Sequence, residues 1–390
     1  MKIPIARTHL TDEEIESVQE PLRSGWLVQG PYVKEFEDKW SIFVGVKNSI
    51  AVTSCTSALH LSLAATGFKA GDTAIVPAFT WISTANVVEH LGGSVIFCDI
   101  DPVTFNIDVK QIEEKILPTT KAILPVHLFG LSADMDPIVE IANAHNLSII
   151  EDAACGFGSR YKGKHVGALG NTGCFSFHPR KSITTGEGGM ITTNDDKLAS
   201  KLRELRDHGA GMSDLQRHLG PKPFLLSDHK EAGYNQRMTD IQAVLGSSQM
   251  NRAKEIIDER RKIASKYNEA FKSLDWLQIP FFSDDYDHGY QSYPCMIKTE
   301  DYSKKNIESM NLKRNNWMEM LQDHGISTRP ATHSVHMLTY YKEKYLLNSQ
   351  DYINSYIANE CSISLPLFNG MTEEESDYVI DIVTSNNPFR

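Results

Sequence analysis

Continuous apolar runs alternate with longer amphipathic segments between about residues 47 and 193. Runs without regular polar interruptions are typical of strands covered on both faces, as in a parallel sheet. They are TAIVP, SVIFCDI, KAILPVHL, LSIIED and GCFSF, which begin at residues 73, 94, 121, 147 and 173. The segments between them are predicted to be crossover helices, namely SCTSALHLSLAATG, TANVVEHLG, DVKQIEEKI and MDPIVEIANAHN. This order predicts an α/β fold with helices flanking a mostly parallel central sheet.

The pattern changes after about Arg237. The run TDIQAVLGSSQMNRAKEIIDERRKIASKYNEAFKSL predicts one long amphipathic helix leading towards a second unit, and the remainder mixes short strands and helices in an α+β manner. We therefore predict a large domain over residues 1–250, including the N-terminal segment, and a smaller α+β domain over residues 251–390. Residues 211–233 are predicted to form a long irregular loop, and loops of that length are often functional.

Composition narrows the class of protein. The 390 residues carry a formal net charge of −11, and Lys and Arg are scattered, so a nucleic-acid-binding face is not expected. The chain begins without the apolar region of a signal peptide and has no run long enough for a membrane span, which favours a cytoplasmic protein without a membrane partner. The six cysteines are widely spaced and form no CxxC pair, so we expect reduced thiols and no metal site.

The stretch HPRKSITTGEGG, residues 178–189, follows the apolar run GCFSF and contains Lys181. Most lysines in loops are solvent-exposed. A position just beyond a buried strand, however, is expected to depress the lysine pKa and favour the neutral, nucleophilic amine. The glycines follow the lysine instead of preceding it, which excludes a Walker-type phosphate loop.

Three further features lie at strand ends, where ligands bind in open parallel sheets. Asp152 ends the run LSIIED; it is either a turn aspartate or an acid for the ring nitrogen of pyridoxal phosphate. Thr56 lies in SCTSALHL, which opens either a simply capped helix or a phosphate-binding one. Trp81 follows TAIVP and is either a core residue or a cover for a flat cofactor. Together these residues favour a pyridoxal phosphate enzyme.

Longer motifs carry a family resemblance. They are SGWLVQGPYVKEFEDKW, SCTSALHLSLAATGFKAGDTAIVPAFTWISTANVV, VHLFGLSADMD, EDAACGFGSRYKGKHVGALGNTGCFSFHPRKSITTGEGGMITTND and GYNQRMTDIQAVLG. Over nearly its whole length the chain resembles the DegT/DnrJ/EryC1/StrS sugar aminotransferases, which are fold type I pyridoxal 5'-phosphate enzymes. The resemblance implies that Lys181 forms an imine with the cofactor, that Asp152 holds the ring nitrogen protonated, and that Trp81 stacks on the ring.

The same resemblance implies further cofactor contacts. Cys55, Thr56 and the hydroxyl of Ser176 would bind the phosphate, and Asn235 would reach it from the neighbouring subunit of a homodimer with shared active sites. Cys55 replaces the glycine of the usual SGT motif, which is compatible with a contact through the backbone N–H. Cys155 is placed among the cofactor contacts, although it stands where the family commonly has His or Gln to contact the phenolic oxygen.

The resemblance further implies a reaction. The enzyme would convert a nucleotide-linked keto-sugar, a 4-keto-6-deoxy or 3-keto hexose, to the amino sugar with glutamate as amino donor, in the biosynthesis of O-antigen or another glycan. His333, in THSVH, is predicted to contact the sugar, and a structural histidine is the alternative. Two rivals within the family are a dehydratase, in which histidine replaces the lysine, and a non-catalytic regulatory member, which would lack Lys181 or Asp152. A third reading is a generic α/β nucleotide-binding protein.

Overall fold

The fold is known from a computed structural model that describes residues 1–211, 224, 226–298, 301 and 303–389. Most of the loop predicted at residues 211–233 lies outside the described residues. The α-helices of the described part are α1 Asp12–Ser17, α2 Gln19–Ser24, α3 Pro31–Val44, α4 Cys55–Ala65, α5 Ser83–His90, α6 Met135–His145, α7 Asp196–Arg206, α8 Asp240–Met250, α9 Ala253–Phe271, α10 Lys304–Asp323, α11 Thr339–Tyr345, α12 Ile353–Cys361 and α13 Glu373–Ser385.

The β-strands of the described part are short. They are β1 Asn48–Val52, β2 Thr73–Pro77, β3 Phe79–Thr80, β4 Ser94–Cys98, β5 Thr120–Ile123, β6 Ser148–Asp152, β7 Arg160–Tyr161, β8 Lys164–His165, β9 Thr172–Ser176, β10 Gly189–Thr193, β11 Leu277–Gln278, β12 Tyr286–Asp287, β13 Tyr293–Ile297, β14 His333–Ser334 and β15 Ser362–Leu365.

Seven strands form the central sheet in the order β1-β10-β9-β6-β5-β2-β4. Strand β10 runs antiparallel to both of its neighbours, and the pairings from β9 to β4 are parallel. The apolar runs are buried in this sheet because helices pack on both of its faces. The predicted α/β fold is therefore confirmed, and the carboxyl ends of β6 and β9 meet at one edge of the sheet.

The prediction of a crossover α-helix is wrong for one segment. The segment DVKQIEEKI forms two 3-10 helices, Val109–Gln111 and Glu113–Lys115. The Asp108 carboxylate accepts the backbone N–H of Lys110 at 3.1 Å and the side-chain amide of Gln111 at 2.9 Å, which tightens the first turn. Since Pro118 and the start of β5 follow closely, the segment accommodates only tight turns.

The prediction of a single long helix after Thr239 is also wrong. The segment is divided into two helices, α8 and α9, which are separated by Asn251 and Arg252. Arg252 leaves the helical conformation with φ −116° and ψ 24°. Its guanidinium donates to the Glu14 carboxylate from Nε at 2.6 Å and from Nη2 at 3.0 Å, and Nη2 also donates to the carbonyl of His9 at 2.9 Å. These contacts fasten the N-terminal segment to the break between the helices.

The C-terminal part contains a second, antiparallel sheet of order β11-β13-β15, packed against helices from α9 onward. Its core includes residues from distant parts of the sequence. Ile3 bridges to Ile326 and is buried there, and Phe79 and Phe105 join the same cluster. The two-domain division at residue 250 stays a prediction.

Two other expectations concern the whole chain. All six cysteines are free; five are buried and Cys155 is partly exposed, as expected for reduced thiols. Among the described residues, no helix combines the length and the apolar composition that crossing a membrane requires.

Candidate active site

Asp152 is the last residue of β6 and is buried. Its carboxylate accepts a hydrogen bond from the Thr84 hydroxyl at 2.7 Å and one from the backbone N–H of Ala154 at 3.1 Å. Burial raises the pKa of Asp152, and these two hydrogen bonds act in the opposite direction. The result is an oriented carboxylate in a desolvated position, where a cationic partner would interact with it strongly.

Lys181 lies in the turn that follows β9. Strand β9 is the neighbour of β6 in the central sheet. Its Nζ is 3.2 Å from the sulfur of Cys155, so the amine and the thiol face each other. Desolvation lowers the pKa of Lys181, but Cys155, Cys55 and Asp152 together raise it above its ordinary value. Burial therefore acts in the predicted direction, but the predicted net depression of this pKa is wrong, because other strand ends bring Cys155, Cys55 and Asp152 to the amine.

The amino end of α4 forms the third part of the site. Ser54 caps the helix by accepting the N–H of Ser57 at 3.0 Å. Among the described residues, the N–H groups of Cys55 and Thr56 have no acceptor, as suits a phosphate site at a helix N-terminus. The Cys55 sulfur is buried, 3.4 Å from the carbonyl of Cys174, so this residue can serve an anion only through its backbone.

Ser176 and the start of α4 are brought together by Gly189. Gly189 pairs with Ser176 across β9 and β10 and with Val52 across β1 and β10. A Cβ on Gly189 would lie 2.4 Å from the carbonyl carbon of Ser54 and 2.7 Å from the nitrogen of Cys55. The glycine therefore allows the strand to pass directly beneath the helix end.

Replacing Gly189 tests this close approach. We expect Gly189→Ala to displace the start of α4, with an overpacking cost of roughly 1–3 kcal/mol. Cofactor affinity, measured by titrating the apoenzyme with pyridoxal phosphate and following absorbance, should fall about tenfold or more. Gly211→Ala is a suitable control, because the nearest atom of the described residues, the carbonyl oxygen of Asp228, would be 3.7 Å from its Cβ. Equal affinities of the two variants would contradict this role.

Trp81 and His333 are brought together although they are far apart in sequence. Strands β3 and β14 pair so that His333 lies opposite Thr80. The rings of Trp81 and His333 have centroids 5.5 Å apart at an interplanar angle of 44°. Trp81 is 59% exposed, so it is not a core residue and its ring is free to cover a flat ligand. The C-terminal part thus supplies a residue directly to this edge of the sheet.

Asn235 is placed differently. It is exposed and forms a backbone bridge with Asp207. Within the described residues of this single chain it makes no hydrogen bond with Lys181, Asp152 or Ser176. Its role as a phosphate ligand from a neighbouring subunit stays a prediction.

Comparison with known proteins decides the family. The family model described as DegT/DnrJ/EryC1/StrS aminotransferase family matches residues 8–384. The chain belongs to this family. It is 37% identical to the spore coat polysaccharide biosynthesis protein SpsC of Bacillus subtilis, covering 98% of this chain and 96% of that one. It is 38% identical to the GDP-perosamine synthase of Caulobacter vibrioides, covering 97% and 96%.

A solved structure with the same fold also identifies the cofactor. The putative sugar aminotransferase Spr1654 of Streptococcus pneumoniae, in its PLP form, superimposes with a TM-score of 0.89 at 27% identity, covering 99% of this chain and 98% of that one. The predicted family, the fold type and the cofactor, pyridoxal 5'-phosphate, are all confirmed. The DegT-family member described here is therefore a pyridoxal-phosphate-dependent aminotransferase.

The residues present fit this cofactor. The buried Asp152 offers a carboxylate to a cationic ring nitrogen, and the N–H groups at the start of α4 suit a phosphate. Cys155, Ser176 and Lys181 line one small cavity together. Among the described residues, no group of three or more His, Cys, Asp or Glu side chains is arranged to hold a metal ion.

Two residues of this DegT-family site were not found from the sequence. Thr84, which orients Asp152, lies three positions after Trp81 in the first turn of α5, and that spacing was the available signal. Gln291 lines the same cavity as Lys181, and its side-chain amide donates to the carbonyl of Arg180 at 2.9 Å. Nothing local in the sequence distinguishes Gln291, because only the tertiary fold brings it to the lysine loop.

Proposed function

We propose that this enzyme converts the keto group of a nucleotide-linked hexose to an amine, with glutamate as the amino donor. The observation that carries the proposal is the placement of Lys181 just past β9 and of the buried Asp152 at the end of the neighbouring strand β6, with the exposed Trp81 linked to Asp152 through Thr84. Support for a sugar substrate comes from relatives, since one is named GDP-perosamine synthase and another a spore coat polysaccharide biosynthesis protein.

Each residue has a distinct task in this reaction. When bound, pyridoxal phosphate supplies an electron sink for the substrate carbon that carries nitrogen. Lys181 Nζ would take a proton from the donor carbon and pass it to the cofactor, and in the second half-reaction it would give a proton to the sugar carbon. Asp152 holds a negative charge where the ring nitrogen is cationic, and the hydrogen bond from Thr84 fixes the direction of that carboxylate. Trp81 covers the flat ring and excludes water from it.

His333 is proposed to contact the sugar. It is exposed, and β14 fixes it beside Trp81, at 5.5 Å between ring centroids. The rival functions fit less well. A dehydratase of this family would have histidine at position 181, and a non-catalytic member would lack Lys181 or Asp152, whereas both residues are present and hydrogen-bonded.

The test is a screen of nucleotide-linked keto-sugars. Purified enzyme is incubated with glutamate and UDP-, dTDP- or GDP-linked 3-keto or 4-keto hexoses, and release of 2-oxoglutarate is followed. We expect release with one nucleotide series and none from the Lys181→Ala variant. Amination of a free keto-cyclitol, with no release from any nucleotide-linked sugar, would refute the substrate assignment.

We also propose a homodimer in the cytoplasm. The free cysteines support a reducing compartment. The exposed Asn235 is available to a second subunit, as a shared active site requires.

Subunit mixing tests the shared site. We expect Asn235→Ala to weaken cofactor retention, because a phosphate ligand is lost. Mixing Asn235→Ala and Lys181→Ala subunits at limiting cofactor, where neither variant alone turns over appreciably, should restore about one complete site per heterodimer, measured as turnover after subunit exchange. Each variant taken through the exchange procedure by itself serves as the control. No recovery of turnover in confirmed heterodimers would contradict the shared site.

A further inference from the structure

A second cavity adjoins the lysine loop and takes no part in the proposed reaction. Its polar lining includes Arg7, Arg252, Arg260 and Ser182, and we call it the arginine cavity. The segment 181–182 lines both this cavity and the active-site cavity. Arg7 is paired with Glu375 and Arg252 with Glu14, whereas among the described residues Arg260 has no carboxylate in an ion pair with it.

Arg260 is the most deeply buried of these cations, at 4% exposure. Its Nε donates to the side-chain oxygen of Asn369 at 2.8 Å, and its Nη1 donates to the carbonyls of Tyr290 and Gln291 at 3.0 and 3.1 Å. These acceptors are all neutral. Burial lowers the pKa of Arg260 to about 10, and the nearby charge of Glu259 acts in the opposite direction. The Glu259 carboxylate accepts a hydrogen bond from the side-chain amide of Asn369 and not from Arg260. Nη2 has no hydrogen-bond acceptor among the described residues.

Two more donors in this cavity lack acceptors. Nη1 of Arg252 is buried without a hydrogen bond, because Glu14 engages Nε and Nη2 and the nearest carboxylate oxygen of Glu255 is 3.9 Å away. The hydroxyl of Ser182 is likewise buried without a partner. A buried polar group without a partner costs roughly 1–3 kcal/mol, so these two buried atoms beside one space indicate an acceptor.

The N-terminal segment closes the cavity from outside. The Thr8 hydroxyl donates to the carbonyl of Pro179 at 3.4 Å, and Arg252 holds the carbonyl of His9 at 2.9 Å. Arg7 is fastened by an ion pair with Glu375 at 2.9 Å. This cover limits the occupant to a small species.

We propose that the arginine cavity binds a small anion, either a carboxylate or a monovalent inorganic anion, held by Arg260, Arg252 and Ser182. Water would satisfy the free donors but would leave the charge of Arg260 without a counterion, whereas an anion does both. The site does not depend on which sugar is aminated. Its occupant places a negative charge beside the loop that carries Lys181.

Bromide is the probe for a direct test. Crystals of the holoenzyme are soaked in bromide, and the anomalous difference map should show a peak between Arg260 Nη2, Arg252 Nη1 and Ser182 Oγ. In solution, bromide titrated against gluconate at constant ionic strength should raise the Tm. In Ser182→Ala, which removes a single hydroxyl, the bromide affinity should fall about tenfold. Ser227→Ala is the matched control and should bind like the wild type.

Competition separates the two sources of the anion. Loss of the bromide peak when formate is added would identify a carboxylate as the occupant, and retention of the peak would identify an inorganic anion. Absence of a peak, with the same dependence of Tm on bromide in wild type and Ser182→Ala, would overturn the proposal. None of these readouts requires turnover, so failure of the anion site and failure of the proposed function are distinguishable.

Discussion

Lys181→Ala is expected to abolish transamination, lowering kcat by about 10⁴-fold or more, because the variant lacks both the amine that bonds the cofactor and the group that moves the proton. Purified wild-type protein should be yellow, and borohydride should fix the cofactor to the peptide that contains Lys181. Single-turnover release of 2-oxoglutarate from glutamate measures the loss without any sugar substrate.

Lys164→Ala is the matched control for this experiment. Lys164 lies in β8 and is exposed, so its removal should leave both colour and turnover unchanged. Full turnover by Lys181→Ala, or borohydride labelling of a different peptide, would show that the proton is moved by another group.

Asp152→Asn is expected to cause the second largest loss, about 10²- to 10³-fold in kcat, because a neutral amide cannot balance a cationic ring nitrogen in a buried site. Thr84→Val keeps the charge of the carboxylate but removes its 2.7 Å hydrogen bond, together with the contacts of the same hydroxyl to the Thr80 hydroxyl and the Trp81 carbonyl, and should cost about tenfold. The absorbance spectrum of the bound cofactor, recorded against pH, should change in Asp152→Asn and much less in Thr84→Val.

The two variants together separate charge from orientation. A loss in Thr84→Val as large as that in Asp152→Asn would mean that the direction of the carboxylate matters more than its charge. An unchanged spectrum in Asp152→Asn would show that the ring nitrogen does not lie against Asp152.

The parts of the site that could be predicted from sequence are those that local pattern determines. Asp152, Thr56 and Lys181 follow or precede apolar strands, and a parallel sheet places such strand ends at one edge whatever the packing details. The pKa of Lys181 could not be predicted in the same way. Its direction depends on Cys155 and Cys55, which arrive from other strand ends and approach the amine only in three dimensions.

The break between α8 and α9 illustrates the same limit. The sequence around Asn251 has no Pro or Gly, and the helical pattern continues through it. The chain turns there because Arg252 binds Glu14 and His9 from the N-terminal segment, contacts that a local pattern cannot reveal. Gln291 and the arginine cavity were missed for the same reason, since their partners are distant in sequence.

The pairing of β3 with β14 has a consequence for how new specificities arise. The groups proposed to hold the cofactor, Asn235 excepted, lie between residues 54 and 189, whereas His333 joins them on a separate strand fixed by backbone hydrogen bonds. Backbone pairing of this kind is insensitive to side-chain identity. On the proposed role of His333, substitutions in the β14 segment are expected to alter what the enzyme accepts while its chemistry is unchanged, which makes that segment the natural target for evolving new substrates in the laboratory.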